Sequence, residues 1–416
     1  MTVAGGADRL LASRPVRIGL AIGIGLAARA ITSRATVRPA DGLVDWERAQ
    51  RIAHGRLVRA PGHLTDQQLR TTRSAYARHM ARVVPLLESR LGAALPGVVE
   101  RHAVASRTEW AAANLGTFQV LVAHLEPSLM PRGPKGSPRT GLAAATNRLL
   151  TTSQVGFLLG YLGTRVLGQY DVALLSAEQA PGRLLYVEEN IRSAARAVGV
   201  PLDTFRLWVC LHETTHAFEL EAHPWLRPYL RERLERQVAL IAEETRHLQR
   251  HGLRHVARRW RAAAAEGSWR GFITPEQRAL FRETQAVMSL MEGFSDWVMD
   301  EVGVELIPDV ASLRRRFETR RGQRRRGIDR ILARLTGMDL KLEQYRRGER
   351  FVAGVHAAGG SAAIARLWDG PETLPNEREL DDPATWVARV MPAADAPAVD
   401  ALAVDALAAD VPAGRM

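Results

Sequence analysis

The run His212-Glu213-Thr214-Thr215-His216 limits the possible folds of this chain more than any other feature, because it has the form H-E-x-x-H. Residues four apart on an α-helix lie on one face, one turn from each other. Two imidazoles placed this way can bind one zinc ion, and the glutamate between them can hold the water that zinc activates. We therefore predict a helix with His212 and His216 as metal ligands and Glu213 as the general base.

The sequence on both sides of the motif predicts a buried helix with defined ends. Asp203 is the expected N-cap, and residues 205–211 are strongly apolar. The helix must end near residues 223–224, because a residue that precedes proline is pushed out of the α-helical region. Cys210 is the single cysteine and lies away from His212 around the helix, so we expect it in the core and expect no intramolecular disulfide.

A catalytic zinc site needs three protein ligands, and a second helix supplies the best third ligand. Glu292 and Asp296 are four residues apart, and they stand among apolar residues between 288 and 298. Buried carboxylates need a cation or hydrogen bonds. We predict that Glu292 binds zinc, as in gluzincins, and that Asp296 accepts the second N–H of a ligand histidine. Gly293 is expected to let this helix approach the motif helix closely.

The sequence leaves other ligands open. A metzincin site would place a histidine ten residues after His212, but Ala222 stands there and His223 misses by one. Glu219 and Glu221 are rival ligands, and Glu219 could instead support His216 as a hydrogen-bond partner. The sequence does not decide between four candidates for stabilising a reaction oxyanion, which are His223, Tyr229, Tyr345 and His356.

Helical periodicity dominates the rest of the chain and predicts a mainly α fold with little β-sheet, built around the H-E-x-x-H helix and a second ligand helix. Residues 225–262 are predicted to form a long, highly charged helix, and apolar residues recur at helical spacing in residues 42–57, 64–92, 97–125, 141–168 and 274–302. In the last of these segments, Thr274 is the expected N-cap and Pro275 the first helical residue. Residues 131–139 and 267–273 are predicted loops.

One segment, 183–187, has the composition of a strand. By analogy with zinc peptidases, we interpret it as an edge strand that could hold an extended substrate by main-chain pairing. Four glycines fall near helical spacing, and we expect them to permit close packing between helices; they are Gly156, Gly160, Gly163 and Gly168.

The net charge of the 416 residues is +12, and it comes almost entirely from arginine, since only Lys135 and Lys341 are lysines. The densest basic stretch runs from 314 to 334 and has Phe317 as its one nearby aromatic residue. Basic residues without interleaved aromatic residues or a known binding motif are typical of a solvated helix face. We therefore predict no specific nucleic-acid partner.

Both ends of the sequence differ in composition from its middle. We divide the chain into an apolar and basic N-terminal segment (1–40), a zincin-like helical domain that could form two lobes (41–390) and a low-complexity mobile tail (391–416). An apolar run over 18–28 follows three arginines, so secretion and peripheral membrane contact are alternatives to a buried segment. Because the run is too short to span a bilayer and the chain has no cysteine pair, we expect a cytoplasmic protein. The oligomeric state is not predicted.

Several short motifs are shared with a known family; they are Val44-Asp45-Trp46, Leu158-Leu159-Gly160-Tyr161-Leu162, Val166-Leu167-Gly168-Gln169-Tyr170-Asp171, Trp208 to Glu219, Met291 to Asp300, Asp339-Leu340-Lys341, Gln344-Tyr345 and Gly348. Over residues 42–390 the chain resembles an actinobacterial family of zincin-like hydrolases, in particular a subgroup associated with the biosynthesis of a deazaflavin coenzyme. The resemblance implies a mainly helical metallopeptidase-like fold with His212, Glu213, His216 and Glu292 at the zinc site. It implies no substrate.

The predicted chemistry is metal-assisted hydrolysis of a peptide or other small amide. Zinc bound to His212, His216 and Glu292 would lower the pKa of its water toward 7. Glu213 would take the proton of that water as it attacks the carbonyl carbon, and would then pass the proton to the leaving amine.

Two other functions are compatible with parts of the sequence. A di-iron carboxylate bundle would use Glu213 with His216 and Glu244 with His247, but too few residues separate these pairs for the two further ligand helices. A non-catalytic basic protein that binds nucleic acid or anionic membrane is the alternative of another class. The glutamate within the H-E-x-x-H motif favours the hydrolase.

Overall fold

The computed structural model describes residues 42–391 except 96, 130–141, 172–181, 245–273 and 323–337. Within that part of the chain the fold is mainly helical, as predicted. The helices are α1 (Trp46–Arg59), α2 (Asp66–Leu91), α3 (Arg107–Leu129), α4 (Leu142–Gly163), α5 (Glu188–Val198), α6 (Leu202–Glu221), α7 (226–244), α8 (Pro275–Glu301), α9 (Gly303–Leu306), α10 (Val310–Gly322), α11 (Met338–Arg366) and α12 (Pro383–Val390), with a 3-10 turn at Pro371–Thr373.

A small sheet of three strands lies among these helices. The strands are β1 (His102–Ala105), β2 (Gly168–Asp171) and β3 (Arg183–Val187), in the order β1-β3-β2. β3 pairs in parallel with β1 and antiparallel with β2. The predicted strand 183–187 therefore exists, but its interpretation as a substrate-holding edge strand is wrong, because both of its main-chain edges are already paired. The edge strands are β1 and β2.

One edge strand, β1, falls inside a segment predicted as helix, and the other, β2, begins at the last residue of such a segment. The segment 97–125 contains β1 before α3 begins at Arg107, and the segment 141–168 ends its helix at Gly163. Each of these strands is four residues long. A strand that short shows too few alternations of apolar and polar residues to outweigh a neighbouring helical pattern.

Capping residues explain where several helices begin. Thr274 forms a capping box with Gln277, and Pro275 is the first residue of α8, as predicted. α6 begins two residues earlier than an N-cap at Asp203 predicts, at Leu202, so Asp203 lies in its first turn and is not the N-cap. The Asp203 carboxylate instead lies 3.1 Å from Nε2 of His79.

The largest core surrounds α6. Buried residues of α2, α6, α8, α11 and α12 form it, among them Tyr76, Leu211, Phe294, Phe351 and Trp386. Cys210 is buried in this core, as expected. The motif helix is thus held on several sides by apolar packing, which fixes the direction in which its histidines point.

A second core packs α1 against α4, and glycines make the contact close. A Cβ added at Gly156 would lie 2.6 Å from the carbonyl oxygen of Ala49, and one added at Gly160 would lie 3.0 Å from Arg56. The predicted role in helix packing is confirmed for Gly156, Gly160 and Gly163. Gly168, the fourth member of the predicted set, belongs to β2 instead.

α8 crosses α11 at two glycines. A Cβ added at Gly293 would lie 2.1 Å from the backbone carbon of Gly348, and one added at Gly348 would lie 1.8 Å from the backbone oxygen of Ser289. The prediction that Gly293 serves the approach of α8 to the motif helix is wrong, because its open face points at α11.

Some predictions fall outside the described residues. They concern both chain ends, the loops 131–139 and 267–273, residues 245–262 of the charged segment, and most of the basic stretch after α10. In the part of the chain that is described, no helix combines the length and the hydropathy needed to cross a membrane.

Candidate metal centre

Three side chains from α6 and α8 converge on one point. The atoms that His212, His216 and Glu292 can offer to a metal all lie within 4.8 Å of one another. Oε2 of Glu292 is 4.0 Å from Nε2 of His212 and 3.8 Å from Nε2 of His216. Ligand atoms bound to zinc at about 2.0–2.2 Å in a tetrahedral site stand roughly 3–4 Å apart. The spacing of these three atoms therefore fits a zinc ion after small side-chain adjustments.

The charges around this point also fit a cation. Glu213 and Glu219 are buried beside the same two histidines that face Glu292. Three carboxylates in a poorly hydrated region are costly unless positive charge balances them. A protonated His216 balances only one of the three carboxylates, whereas a divalent metal balances two.

Each ligand histidine has a partner at its second ring nitrogen. Nδ1 of His212 lies 2.9 Å from Oγ of Ser295, and Nδ1 of His216 lies 2.9 Å from Oε2 of Glu219. Such contacts fix the ring orientation and leave Nε2 available for the metal. Burial of Glu219 raises the pKa of its carboxyl, while the carboxylate raises the pKa of His216 against the opposing effect of burial.

Asp296, predicted as the partner of a ligand histidine, forms an ion pair with Arg314 at 3.7 Å. Ser295 and Asp296 follow Glu292 by three and four residues, so they flank it on opposite sides of one helix face. The structure places Ser295 at Nδ1 of His212 and Asp296 toward α10. The sequence pattern i, i+4 alone could not distinguish these two neighbours.

The predicted general base, Glu213, belongs to the same helix as the two candidate ligand histidines and is 8% exposed. Burial raises the pKa of its carboxyl to about 7, with a further rise from Glu292 and an opposing effect from His216. A Cβ added at Gly168 would lie 2.6 Å from Cγ of Glu213 and 2.7 Å from its Oε1. The absence of a side chain at this position in β2 thus leaves the space that Glu213 occupies, a role that sequence reasoning missed.

The rival ligands lie elsewhere. Both carboxylate oxygens of Glu221 accept hydrogen bonds from Nη2 of Arg101 at 2.6 Å, and Tyr170 donates to the same carboxylate. Glu219 holds His216, the supporting role that its spacing allowed. The structure therefore brings Glu292, and neither of these two glutamates, to the metal-facing nitrogens of the histidines.

The candidates for oxyanion stabilisation take different positions. His223 stacks on Trp368 with ring centroids 5.2 Å apart, and His356 lies 5.3 Å from the ring of Trp297. Tyr229 packs under the guanidinium of Arg233. The side chain of Tyr345 lies outside the described residues. None of these contacts assigns the role.

Comparison with known proteins agrees with this geometry. The sequence profile of a family described as zincin-like metallopeptidases matches residues 44–387. One similar crystal structure, from Chloroflexus aurantiacus, is described as a candidate hydrolase with a novel fold; it has 38% sequence identity and a TM-score of 0.62, and the match covers 83% of this chain and 98% of that chain. No curated protein matches.

A mainly helical fold that carries H-E-x-x-H beside a glutamate from a second helix defines a metallopeptidase-like protein. The match over residues 44–387 makes the assignment specific: the chain belongs to the zincin-like metallopeptidase family. Membership supports a metal-dependent hydrolase.

Proposed function

We propose that this protein is a zinc-dependent hydrolase of the gluzincin type that cleaves a peptide or another amide bond. The observation that carries the proposal is the convergence of His212, His216 and Glu292 within 4.8 Å, with Glu213 buried beside them. When bound there, zinc would supply Lewis acidity and make a water molecule nucleophilic near neutral pH.

The chain's own residues have distinct roles in this reaction. His212, His216 and Glu292 would hold the metal, while Ser295 and Glu219 keep the two imidazoles oriented through Nδ1. The Glu213 carboxylate accepts the proton of the attacking water and returns it to the leaving nitrogen. Burial raises the pKa of this carboxyl, and a nearby cation would lower it.

β2 is the best candidate for the substrate-binding strand. It is an edge strand of the described sheet, and its Gly168 lies against Glu213. An extended peptide that paired with the outer edge of β2 would therefore pass the general base. This role replaces the one that the sequence suggested for 183–187.

Metal analysis of three proteins in parallel tests the metal site. Purified wild type should contain close to one zinc per chain by mass spectrometry, and His216→Ala and Glu292→Gln should each contain far less. Wild type without zinc, even after reconstitution, would contradict the proposal. Loss in His216→Ala alone would remove Glu292 from the ligand set.

Activity measurements test the reaction. In a screen of peptide and small amide substrates, Glu213→Gln should retain zinc and lose activity by about 10²–10⁴-fold, the usual contribution of a general base. A Glu213→Gln enzyme with wild-type activity would contradict the assignment of the base.

The alternative of a non-catalytic basic protein receives less support. Arg314 begins the basic stretch on which that reading rests, yet it contacts the carboxylates of Asp296, Asp300, Glu318 and Glu349. Arg314 therefore joins α10 to α8 and α11 through ion pairs. The cytoplasmic location of the protein, and any link to deazaflavin-coenzyme biosynthesis, stay predictions from the sequence.

A further inference from the structure

A cavity of about 620 Å³ opens on the surface of α1, between that helix and the end of α4. Three arginines line it, Arg51, Arg56 and Arg59, together with Ile52 and Thr164. No lining residue is among the metal ligands or their partners, and no acidic residue lines the cavity. We call this feature the arginine cavity.

The three guanidinium groups differ from the arginines that hold the fold together. Arg101, Arg206 and Arg314 each pair with a carboxylate within 2.6 Å or less. Within the described part of the chain, the guanidinium groups of Arg51, Arg56 and Arg59 have no hydrogen bond and no ion pair. Three like charges around one cavity repel each other, so a bound anion would be favourable there.

The side chain of Arg56 packs against an aromatic ring beside the cavity. Its guanidinium lies over the ring of Phe157, with Cζ 4.8 Å from the ring centroid. Its Nε is buried and has no hydrogen-bond partner in the described structure. A buried donor without an acceptor is costly, and an anion in the cavity could accept from the other nitrogens of the same group and offset part of that cost.

We propose that the arginine cavity binds a ligand that carries at least two linked phosphate groups. The planar fork of an arginine side chain matches a phosphate at two oxygens, and three guanidiniums balance the charge of a pyrophosphate group. A volume of about 620 Å³ is in the range of small-molecule sites and leaves room for an organic group beyond the phosphates. A soluble pyrophosphate ester and the pyrophosphate headgroup of a lipid share this chemistry.

Calorimetric titration with inorganic pyrophosphate tests the proposal on the full-length protein. The cavity variant is Arg51→Gln/Arg59→Gln, and the control is Arg78→Gln/Arg82→Gln, which removes two exposed arginines of α2 outside the cavity. Both variants have the same net charge, so they separate a local site from general attraction to a basic protein. The wild type and the control should bind saturably, and the cavity variant should bind about tenfold more weakly or worse.

Flotation with phosphatidylcholine vesicles that contain a polyprenyl pyrophosphate, and with phosphatidylcholine vesicles alone, distinguishes the two sources of pyrophosphate. Cavity-dependent binding of inorganic pyrophosphate without binding to the lipid-pyrophosphate vesicles indicates a soluble ligand, and cavity-dependent binding of the lipid-pyrophosphate vesicles indicates a lipid headgroup. Absence of saturable binding in both assays, or equal loss in the two double variants, overturns the proposal. Neither assay depends on hydrolase activity.

Discussion

At the residue scale, the position of the Glu213 side chain depends on the absence of a Cβ at Gly168. The hydrogen of Gly168 faces the Glu213 side chain where any other residue would place a Cβ. The backbone of Glu213 belongs to a largely buried helix and is held in place by it. A methyl group at position 168 would therefore move the carboxylate and leave the backbone of α6 in place.

We expect Gly168→Ala to lower hydrolytic activity strongly, by about 10²-fold, because misplacing a catalytic group by an ångström can have that effect. Zinc content should stay near that of wild type, since the three atoms nearest to the added methyl group all belong to Glu213 and not to a ligand. Turnover and metal content measured on the same preparation would check this. Full activity in Gly168→Ala would show that Glu213 is not held by β2.

A second residue-scale prediction concerns His223. Burial lowers the pKa of His223 to about 4, against the opposing effect of Asp369. In the unfolded chain a histidine has a pKa near 6.5. The folded state therefore favours the neutral ring, so this contribution to stability is complete above pH 6.5 and is lost as the pH falls toward 4.

His223→Phe keeps an aromatic ring against Trp368 and removes the titration. Between pH 7.5 and 5, the unfolding free energy of wild type should fall by about 1–2 kcal/mol more than that of the variant. Urea unfolding of both proteins in the presence of a metal chelator would measure this. The other titrating groups are the same in both proteins, so their contributions cancel in the difference. Equal pH dependence of the two proteins would contradict it.

At the element scale, the crossing of α8 and α11 sets where Glu292 stands. Gly293 follows Glu292 directly, and the backbones of the two helices touch at Gly293 and Gly348. No side chain lies between the helices at this point. The distance from α11 to the metal-binding face of α8 therefore has little freedom to vary.

Gly348→Ala should destabilise the protein by about 2 kcal/mol or more, because its Cβ would lie 1.8 Å from the backbone oxygen of Ser289. Gly116→Ala in α3 is the matched control, since nothing lies within 4 Å of its added Cβ. The control should be neutral or more stable by about 0.5–1 kcal/mol, the ordinary helical preference for alanine. Thermal or urea unfolding of both variants decides the point, and similar stabilities would mean that the helices can separate without loss.

The elements differ in how well the sequence predicts them. Long helices such as α2 and α8 show many turns of apolar periodicity and capping residues at their starts, so their boundaries were predicted within a few residues. β1 and β2 owe their conformation to pairing with β3, which is distant in sequence. Pairing of that kind leaves no periodic trace in four residues.

The candidate site shows the same division. The spacing of His212 and His216 follows from one helix, and spacing within a helix can be derived from sequence. The contact of Ser295 with Nδ1 of His212 depends on the direction from which α8 approaches α6. The role of Gly168 depends on where a strand passes. Contacts between elements could therefore not be predicted from the sequence, even where a residue such as Ser295 is adjacent to a predicted one.

At the scale of the whole molecule, metal binding should join two parts of the core. The ligands come from α6 and α8, which pack together within the largest apolar cluster. A metal that binds only the folded arrangement raises stability by mass action, by about 2.7 kcal/mol at a hundred times its Kd.

Zinc should therefore raise the Tm of wild type by roughly 2–4 °C at that concentration. His216→Ala, which lacks a ligand, should show little or no rise under the same conditions. Differential scanning calorimetry with and without chelator would measure both. An equal rise in the two proteins would indicate that zinc binds somewhere else.

The origin of the ligands in two distant segments has a consequence for the order of folding. His216 and Glu292 are brought together only after α8 has docked on α6, and the long connection between them must close first. In a chain that has not yet folded, the two histidines of α6 alone would hold zinc weakly. We therefore expect a metal at this site to bind after α8 has docked on α6, and to stabilise the folded structure without nucleating it.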